Sequence, residues 1–580
     1  MRFLLLSLTL TVCALAQQAS TTSLIGRVMD SAGAAIPNAT VKAVEERTQE
    51  TLTRTTNGAG LYFFELVRIG TYTITATANG FGAMTRSGVV VETNQLVRTN
   101  FELKVGQVTE RIVVLGTPPP IATDEASLSE VLNQRAVANL PLNGRDVLRM
   151  ASLAPGVLPG MKSRTGATAA GGEDFIGPGA REVQNSISLD GVSVVSNLIN
   201  LTSLRPSTDA VEEFQIQTGT YSAQYGTMMG VHLDVITKSG TNELHGAVWE
   251  FLRNDKLDAR DFFLPATSAK PPLRQNQFGG ELGGPVFIPK LYNGRNKTFF
   301  LADYEGERQT QATTALAAVF PNAYRSGDLS AIKTPIKDAF GSGNPFPNNV
   351  IPASLLATQA LKTLAYMPTA NLAGAAANNY VAQIGGGNNT DQTLDKVDEN
   401  LGDKAHLFFR YAYQKAALIQ GSSNPINGFN VPLTDRNYAV GYTQTISPRM
   451  VNDLRFGYHK SLYSSVNFFT SDGLAGAGTA LGIPGFTSSL ANPGIPDFEI
   501  TGFVAVGGQN MTSSNWTRPD STFVFTDVLN YTVGAHSIAT GAEFYRLTTG
   551  SQGQNASRGL FNFTGGISGN AGPIFCWGCL

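Results

Sequence analysis

The chain has 580 residues, enough for about three to five domains at ~100–200 residues each, which excludes a single compact core. Charged residues make up only 15% of it against the ~25% usual in soluble proteins, and 61 glycines add to a composition of strands and turns. Lys plus Arg (42) nearly balance Asp plus Glu (44), and a net charge of −2 supplies no basic field for a phosphate backbone, which excludes nucleic acid as the partner.

Taken in chain order, residues 3–16 form an apolar run after Arg2 that ends in the small-x-small triplet Ala14-Leu15-Ala16. They predict a signal peptide over residues 1–16, cut before Gln17 and too short for the ~20 apolar residues of a membrane-spanning helix. No later segment is apolar enough for such a helix. The exported chain is therefore either soluble or crosses an outer membrane as a β-barrel, whose strands give a weak hydropathy signal.

Residues 22–104 break into seven short strand-like runs separated by turn signals such as Pro37-Asn38, Asn57-Gly58 and Asn79-Gly80. Within 71–78 the residues Tyr72, Ile74, Ala76 and Ala78 alternate with threonines, the pattern of a half-buried strand, and the whole predicts a small β-sandwich. Residues 105–119 end in three prolines and read as a linker. Over 124–141 the apolar positions Leu128, Val131, Leu132 and Val137 predict a helix stopped by Pro141. Gly/Ala/Thr-rich loops and strand-like pieces follow, making residues 120–240 a mixed α/β unit in which Asp190-Gly191 is a turn between two strands.

From 241 to 580 nine antiparallel strands are predicted, near 243–253, 275–285, 297–308, 391–401, 404–416, 436–446, 450–462, 521–532 and 536–548. Short turns such as Gly402-Asp403 and Ser447-Pro448-Arg449 alternate with long connections, the organisation of an outer-membrane barrel. Side chains alternate as well: Leu407, Phe409, Tyr411 and Tyr413 share one face and His406, Arg410 and Gln414 the other, while Leu454, Phe456 and Tyr458 oppose Asp453, Arg455 and His459. A soluble sandwich would show the same period of two, but connections of this length weigh against it.

Two strings in the first unit, GRVMDSAGAAIPNATV and NGAGLYFFELVRIGTYTITATANGF, resemble the carboxypeptidase regulatory-like domain, a transthyretin-like sandwich. Further along, LPLNGRDVLRMASLAPGV, ISLDGVSV, VEEFQIQTGTYSAQYG, VITKSGTNELHGAVWEFLRNDKLDARDFF, QNQFGGELGGPVFIP and GRNKTFFLADYEGER follow in order. Together they resemble the Oar-like TonB-dependent outer-membrane receptors. The resemblance implies a mainly β chain: a periplasmic sandwich at 22–104, a plug at 120–240, and at 241–580 the N-terminal part of a transmembrane barrel. It also implies energised passage of a substrate through the outer membrane, with TonB, ExbB and ExbD as partners and lipid around the barrel. A barrel of ~22 strands at about 38 residues each would bring such a chain to ~1,070 residues, so the sequence is expected to be a fragment carrying an incomplete barrel.

In this family a short extended segment, the TonB box, pairs edge to edge with a strand of TonB. Its candidate here is Glu110-Arg111-Ile112-Val113-Val114, for which a last strand of the sandwich or a plain linker is the competing reading. Tyr221, Tyr225 and the Gly-rich loop 166–179 are assigned to packing or linking rather than to ligand. The histidines His232, His245, His406, His459 and His536 form no zinc-binding pair, and Cys576-Trp577-Gly578-Cys579 stands without a second pair, so no metal, cofactor or catalytic residue is predicted and the chain is not read as an enzyme. Because transthyretin-like sandwiches also contact carbohydrate, the alternative is a glycan-binding or adhesive surface protein without transport. The substrate itself, glycan or other, is not legible.

Overall fold

The computed structural model describes residues 22–564 apart from internal stretches, the longest of them 116–127, 161–174 and 508–514. The signal-peptide residues, Glu110, most of the Gly-rich loop and Cys576–Cys579 lie outside the described residues.

The first unit is the expected sandwich. Its strands are β1 (Ser23–Asp30), β2 (Thr40–Glu45), β3 (Thr51–Thr55), β4 (Leu61–Glu65), β5 (Gly70–Thr77), β6 (Ala83–Val91), β7 (Leu96–Arg98), β8 (Phe101–Leu103) and β9 (Arg111–Leu115). One sheet runs β4-β1-β7 with β8 also on β1, the other β3-β2-β5-β6-β9. Between them Leu24, Val28, Tyr62, Phe64, Tyr72 and Ile74 are sealed from solvent. Two details differ from the sequence reading. The run 96–103 is two strands: the chain steps away at Thr99, whose carbonyl accepts from Tyr62 Oη at 2.5 Å, and at Asn100, whose side chain accepts from Arg27 N at 2.9 Å. The segment 105–119, read as linker, carries β9, the last sandwich strand that is the competing reading of 110–114; it lies parallel to β6 with Arg111 opposite Ala83 and Leu115 opposite Ser87.

The second unit is built on β10 (Leu128–Asn133), a helix (Gln134–Asn139), two short pairs β11 (Leu158–Pro159) with β12 (Phe175–Ile176) and β15 (Val195–Ser196) with β16 (Leu201–Thr202), the hairpin β13 (Ser186–Leu189) and β14 (Val192–Ser193), and the longer strands β17 (Val211–Gly219) and β18 (His232–Thr237). Its main sheet has the order β10-β17-β18-β13-β14. The helix predicted over 124–141 is thus corrected. Leu128–Asn133 pairs antiparallel with β17, and only Gln134–Asn139 turns helical, with the Asn133 side chain accepting from Ala136 N as its N-cap. Satisfying the exposed edge of β17 outweighs a helical apolar pattern of four residues. The Asp190-Gly191 turn is present as read, with both residues at positive φ (49° and 80°), as a two-residue hairpin turn requires.

The third unit is a wall of nine long antiparallel strands: β19 (His245–Asn254), β20 (Leu273–Pro285), β23 (Thr298–Ala317), β24 (Tyr380–Asn400), β25 (Ala405–Gly421), β26 (Gly428–Ser447), β27 (Met450–Asn467), β29 (Trp516–Val533) and β30 (His536–Thr549). They pair in that order, and the sheet does not close, so β19 and β30 are its edges. Small additions are the hairpin β21 (Phe287–Ile288) and β22 (Tyr292–Asn293), β31 (Gln552–Gly553) on β29, and the pair β28 (Asp497–Ile500) and β32 (Leu560–Phe563). All nine strands were legible, but most run well past their predicted ends on the long-loop side; β24 begins at Tyr380 instead of 391. Beyond the lipid both faces are polar, as in Gly385–Asp391, so apolar alternation fades while backbone pairing continues. The long connections are not structureless. Val319, Phe320, Leu364, Phe469, Ile495 and Phe498 bury one another in a common core above the wall.

The concave face of the wall holds the second unit. The plug core of Leu148, Ile187, Leu189, Phe214, Leu233 and Val235 continues without interruption into the wall residues Leu301, Leu394 and Ala412.

Candidate functional site at the plug

The polar face predicted from alternation is the one turned to the plug, where His406, Arg410, Gln414, Asp453 and His459 are buried while Leu407, Phe409 and Phe456 stay exposed on the other side. At the centre sits Asp190. The hairpin turn carries this carboxylate out of the plug sheet into the wall: Oδ2 accepts from Arg410 Nε at 3.1 Å and from Thr237 Oγ1 at 2.8 Å, Oδ1 accepts from Thr237 N at 3.0 Å, and Lys396 Nζ stands 3.6 Å away. Arg410 also donates through Nη2 to Leu189 O at 2.9 Å and is sealed from solvent. Burial by itself would raise the Asp190 pKa, but Lys396, Arg410 and the Thr237 donors together hold it below the usual carboxylate value. Gly191 is required on a second count, because a Cβ there would meet the guanidinium of Arg455. The wall answers with Gly457, where a side chain would collide with Val192 of the same hairpin.

Nearer the long loops, a smaller seam of about 70 Å³ separates plug and wall. Glu305 accepts there from Gln277 (3.0 Å) and Gln392 (2.9 Å), while plug Arg205 donates to Asp146 at 2.7 Å through its side chain and to Gln414 Oε1 at 3.0 Å through its backbone N.

On the short-turn side the sandwich is docked against both. Thr93 donates to Glu213 Oε2 of the plug through its backbone N and its hydroxyl, each at 2.8 Å, and Gln215 Nε2 donates to Thr93 O at 3.2 Å. Arg47 pairs with Glu212 of the plug at 3.1 Å, and Arg68 lies 3.3 Å from the wall carboxylate Asp398, itself 3.1 Å from His406. Asn57 donates to Gly534 O (2.9 Å) in the turn between β29 and β30, and Glu65 accepts from Ser537 Oγ (2.9 Å) at the start of β30. Burial, reinforced by Glu92 and Glu212, pushes the Glu213 carboxyl up to about 7 in spite of the two Thr93 donors. A cavity of about 140 Å³ lies in this junction, lined by Glu45, Arg68, Asp190, Lys396 and Asp398 among others. Among the described residues Glu45 Oε1, Arg68 Nη1 and Asp398 Oδ2 have no hydrogen-bond partner, although Glu45 Oε1 lies 3.5 Å from Arg47 Nε and Arg68 Nη1 3.6 Å from Glu50 Oε2. A junction that leaves buried charged groups around a cavity resembles contacts between domains more than the interior of one.

Residues 236–576 match the family described as outer membrane beta barrel domain. The chain belongs to that family. It is an outer-membrane protein, and residues 23–104 match the carboxypeptidase regulatory-like domain. Over 288 residues the chain is 25% identical to the TonB-dependent transporter Oar of Myxococcus xanthus, a match that takes in 47% of this barrel protein and 26% of that relative. The chain thus spans about a quarter of the curated relative it matches. Among solved structures it is similar to the outer membrane transporter YddB from Escherichia coli (TM-score 0.45, 10% identity, 74% of this chain and 53% of that one). It is likewise similar to the siderophore receptor PirA from Acinetobacter baumannii (TM-score 0.42, 15% identity, 73% and 48%).

Of the residues read as a candidate TonB box, Arg111, Ile112, Val113 and Val114 lie in β9 at the edge of the barrel protein's sandwich, and Glu110 falls outside the described residues. Tyr221 and Tyr225 pack on His232 with ring centroids 4.4 and 4.7 Å away, in keeping with a packing role; burial lowers the pKa of that histidine. Lys238, at the passage from plug to wall, pairs with Glu281 at 3.0 Å. Sequence reading missed Glu213, Arg68 and Arg410 as junction residues, and took Asp190 only for a turn former. The one signal available was three charged residues, Lys396, Arg410 and Arg455, on strand faces that point away from lipid.

Proposed function

We propose that the protein is a TonB-dependent outer-membrane receptor in which traction on the segment after the sandwich moves the plug and opens a path along the wall. The observation that carries this reading is the construction of the plug–wall contact. A folded sheet unit is held against the wall by the buried Asp190 carboxylate with two cations, by side-chain hydrogen bonds such as Ser196 to Asp520 and Ser207 to Asp303, and by apolar contact at Leu301, Leu394 and Ala412, with a cavity on either side. Hydrogen bonds and ion pairs between side chains can be released and remade, and the apolar core that accompanies them takes in three wall residues among those described. Similarity to Oar supports the same assignment. The edge position of β9 leaves one side of its backbone available for pairing with a partner strand. Because the sandwich is itself bonded to the plug through Thr93 and Glu213, a pull on residues 111–115 reaches the plug both along the chain and through the sandwich.

Deleting residues 110–114 from the chain and measuring capture by the periplasmic domain of TonB tests this. Loss of capture is expected, with the plug still protected from proteolysis. Capture at the undiminished level removes the assignment.

A further inference from the structure

The lipid-facing side of the wall carries a pattern that the plug chemistry does not use. On three consecutive strands a tyrosine and a cation stand two residues apart on the outer face: Tyr413 and Lys415 on β25, Tyr438 and Arg436 on β26, Tyr458 and Lys460 on β27. In each strand the cation is on the long-loop side. Register brings them together, since Arg436 lies directly opposite Lys460 on one neighbour and opposite Tyr413 on the other, its guanidinium 5.5 Å from that ring. The tyrosines form a continuous row beneath, with Tyr411–Tyr438 and Tyr438–Tyr458 centroids 5.0 and 6.3 Å apart.

Like charges directly opposite on a sheet repel, so this arrangement costs stability unless an anion offsets it. Among the described residues no acid stands opposite Arg436 or Lys460. Lys415, Arg436 and Lys460 are exposed, and none forms an ion pair with an acid among the described residues. Asp391, opposite Lys415, is already engaged by Arg308 at 2.6 Å and by Tyr304 Oη at 2.7 Å. Asp395 on the same strand is level with Tyr411, below the cations.

Height decides what the missing anion is. Lys415 and Lys460 stand about ten residues above the short turns; at ~3.3 Å per residue and a tilt near 40°, that is about 25 Å, the height of an outer-membrane barrel's apolar band. Leu407, Phe409, Leu454 and Phe456 fill the band below, the tyrosines mark its upper girdle, and the cations lie at the headgroups of the outer leaflet. We infer that Lys415, Arg436 and Lys460 form a binding site for the phosphate groups of a phosphorylated glycolipid in the outer leaflet. The inference rests on outer-membrane residence and is independent of TonB coupling.

The test uses the purified chain in neutral detergent with three probes: a phosphorylated glycolipid, the same lipid after enzymatic dephosphorylation, and inorganic phosphate. Native mass spectrometry counts bound lipid. At roughly fivefold per cation near a lipid headgroup, R436Q/K460Q is expected to weaken retention of the phosphorylated lipid about 30-fold. R436K/K460R, which keeps both charges, and K404Q, at an exposed cation by the short turns, should bind as the parent does. Equal retention by R436Q/K460Q, equal binding of the dephosphorylated lipid, or displacement by inorganic phosphate at matched concentration overturns the inference.

Discussion

Docking of the sandwich onto the plug should be proton-linked through Glu213. Docked, this carboxyl is buried against Thr93 with Glu92 and Glu212 near it and titrates at about 7; released, it returns toward the ordinary 4.5. Docking therefore takes up a proton. Its stability is full below about 4.5 and is lost as the pH climbs through about 7, the reverse of a salt-bridged acid. Between pH 5 and pH 8 these two values give a docking constant that falls roughly 70-fold, or about 2.5 kcal/mol. Spin labels at the exposed positions Lys42 and Asp403, in a chain whose three cysteines are serine, report the distance between sandwich and wall by electron–electron resonance. A single short distance is expected at pH 5, with a broad, longer population growing toward pH 8. E213Q isolates the contribution of Glu213 by removing the carboxyl's proton step while keeping an acceptor for Thr93. Wild-type distances that do not change with pH, or an E213Q profile as steep as the parent's, refute the reasoning.

D190N leaves the buried Arg410 without its carboxylate and should cost about 3–5 kcal/mol of plug retention, read as earlier proteolytic release of the plug in detergent. Unchanged release would mean that apolar packing on Leu301, Leu394 and Ala412 alone holds the plug. G191A places a Cβ at φ 80° and against Arg455, and should lower thermal stability by more than G485A, which has a similar φ (78°) and open space; the backbone share common to both is about 1–2 kcal/mol. Equal losses would show that Arg455 yields freely.

Strand identity, strand count and the lipid and plug faces of the wall were all present in the sequence, because each depends on local alternation that a strand buried on one side must show. The same holds for the sandwich core at Tyr72, Ile74 and Ala76 and for the Asp190-Gly191 turn, whose backbone conformation is dictated by its own two residues. Partners in space decided the rest. Leu128–Asn133 became a strand because β17 offered it an edge, pairing with β6 decided between the strand and linker readings of β9, and the upper strand ends follow backbone pairing after hydropathy has gone silent. The site belongs to this second class. Asp190 and Arg410 are 220 residues apart, as are Thr93 and Glu213 by 120, and nothing in the neighbourhood of either member specifies the other. Burial of a charge is a property of the assembled layers, so the sequence determined which residues could serve the junction, and only the packing of sandwich, plug and wall determined which ones meet.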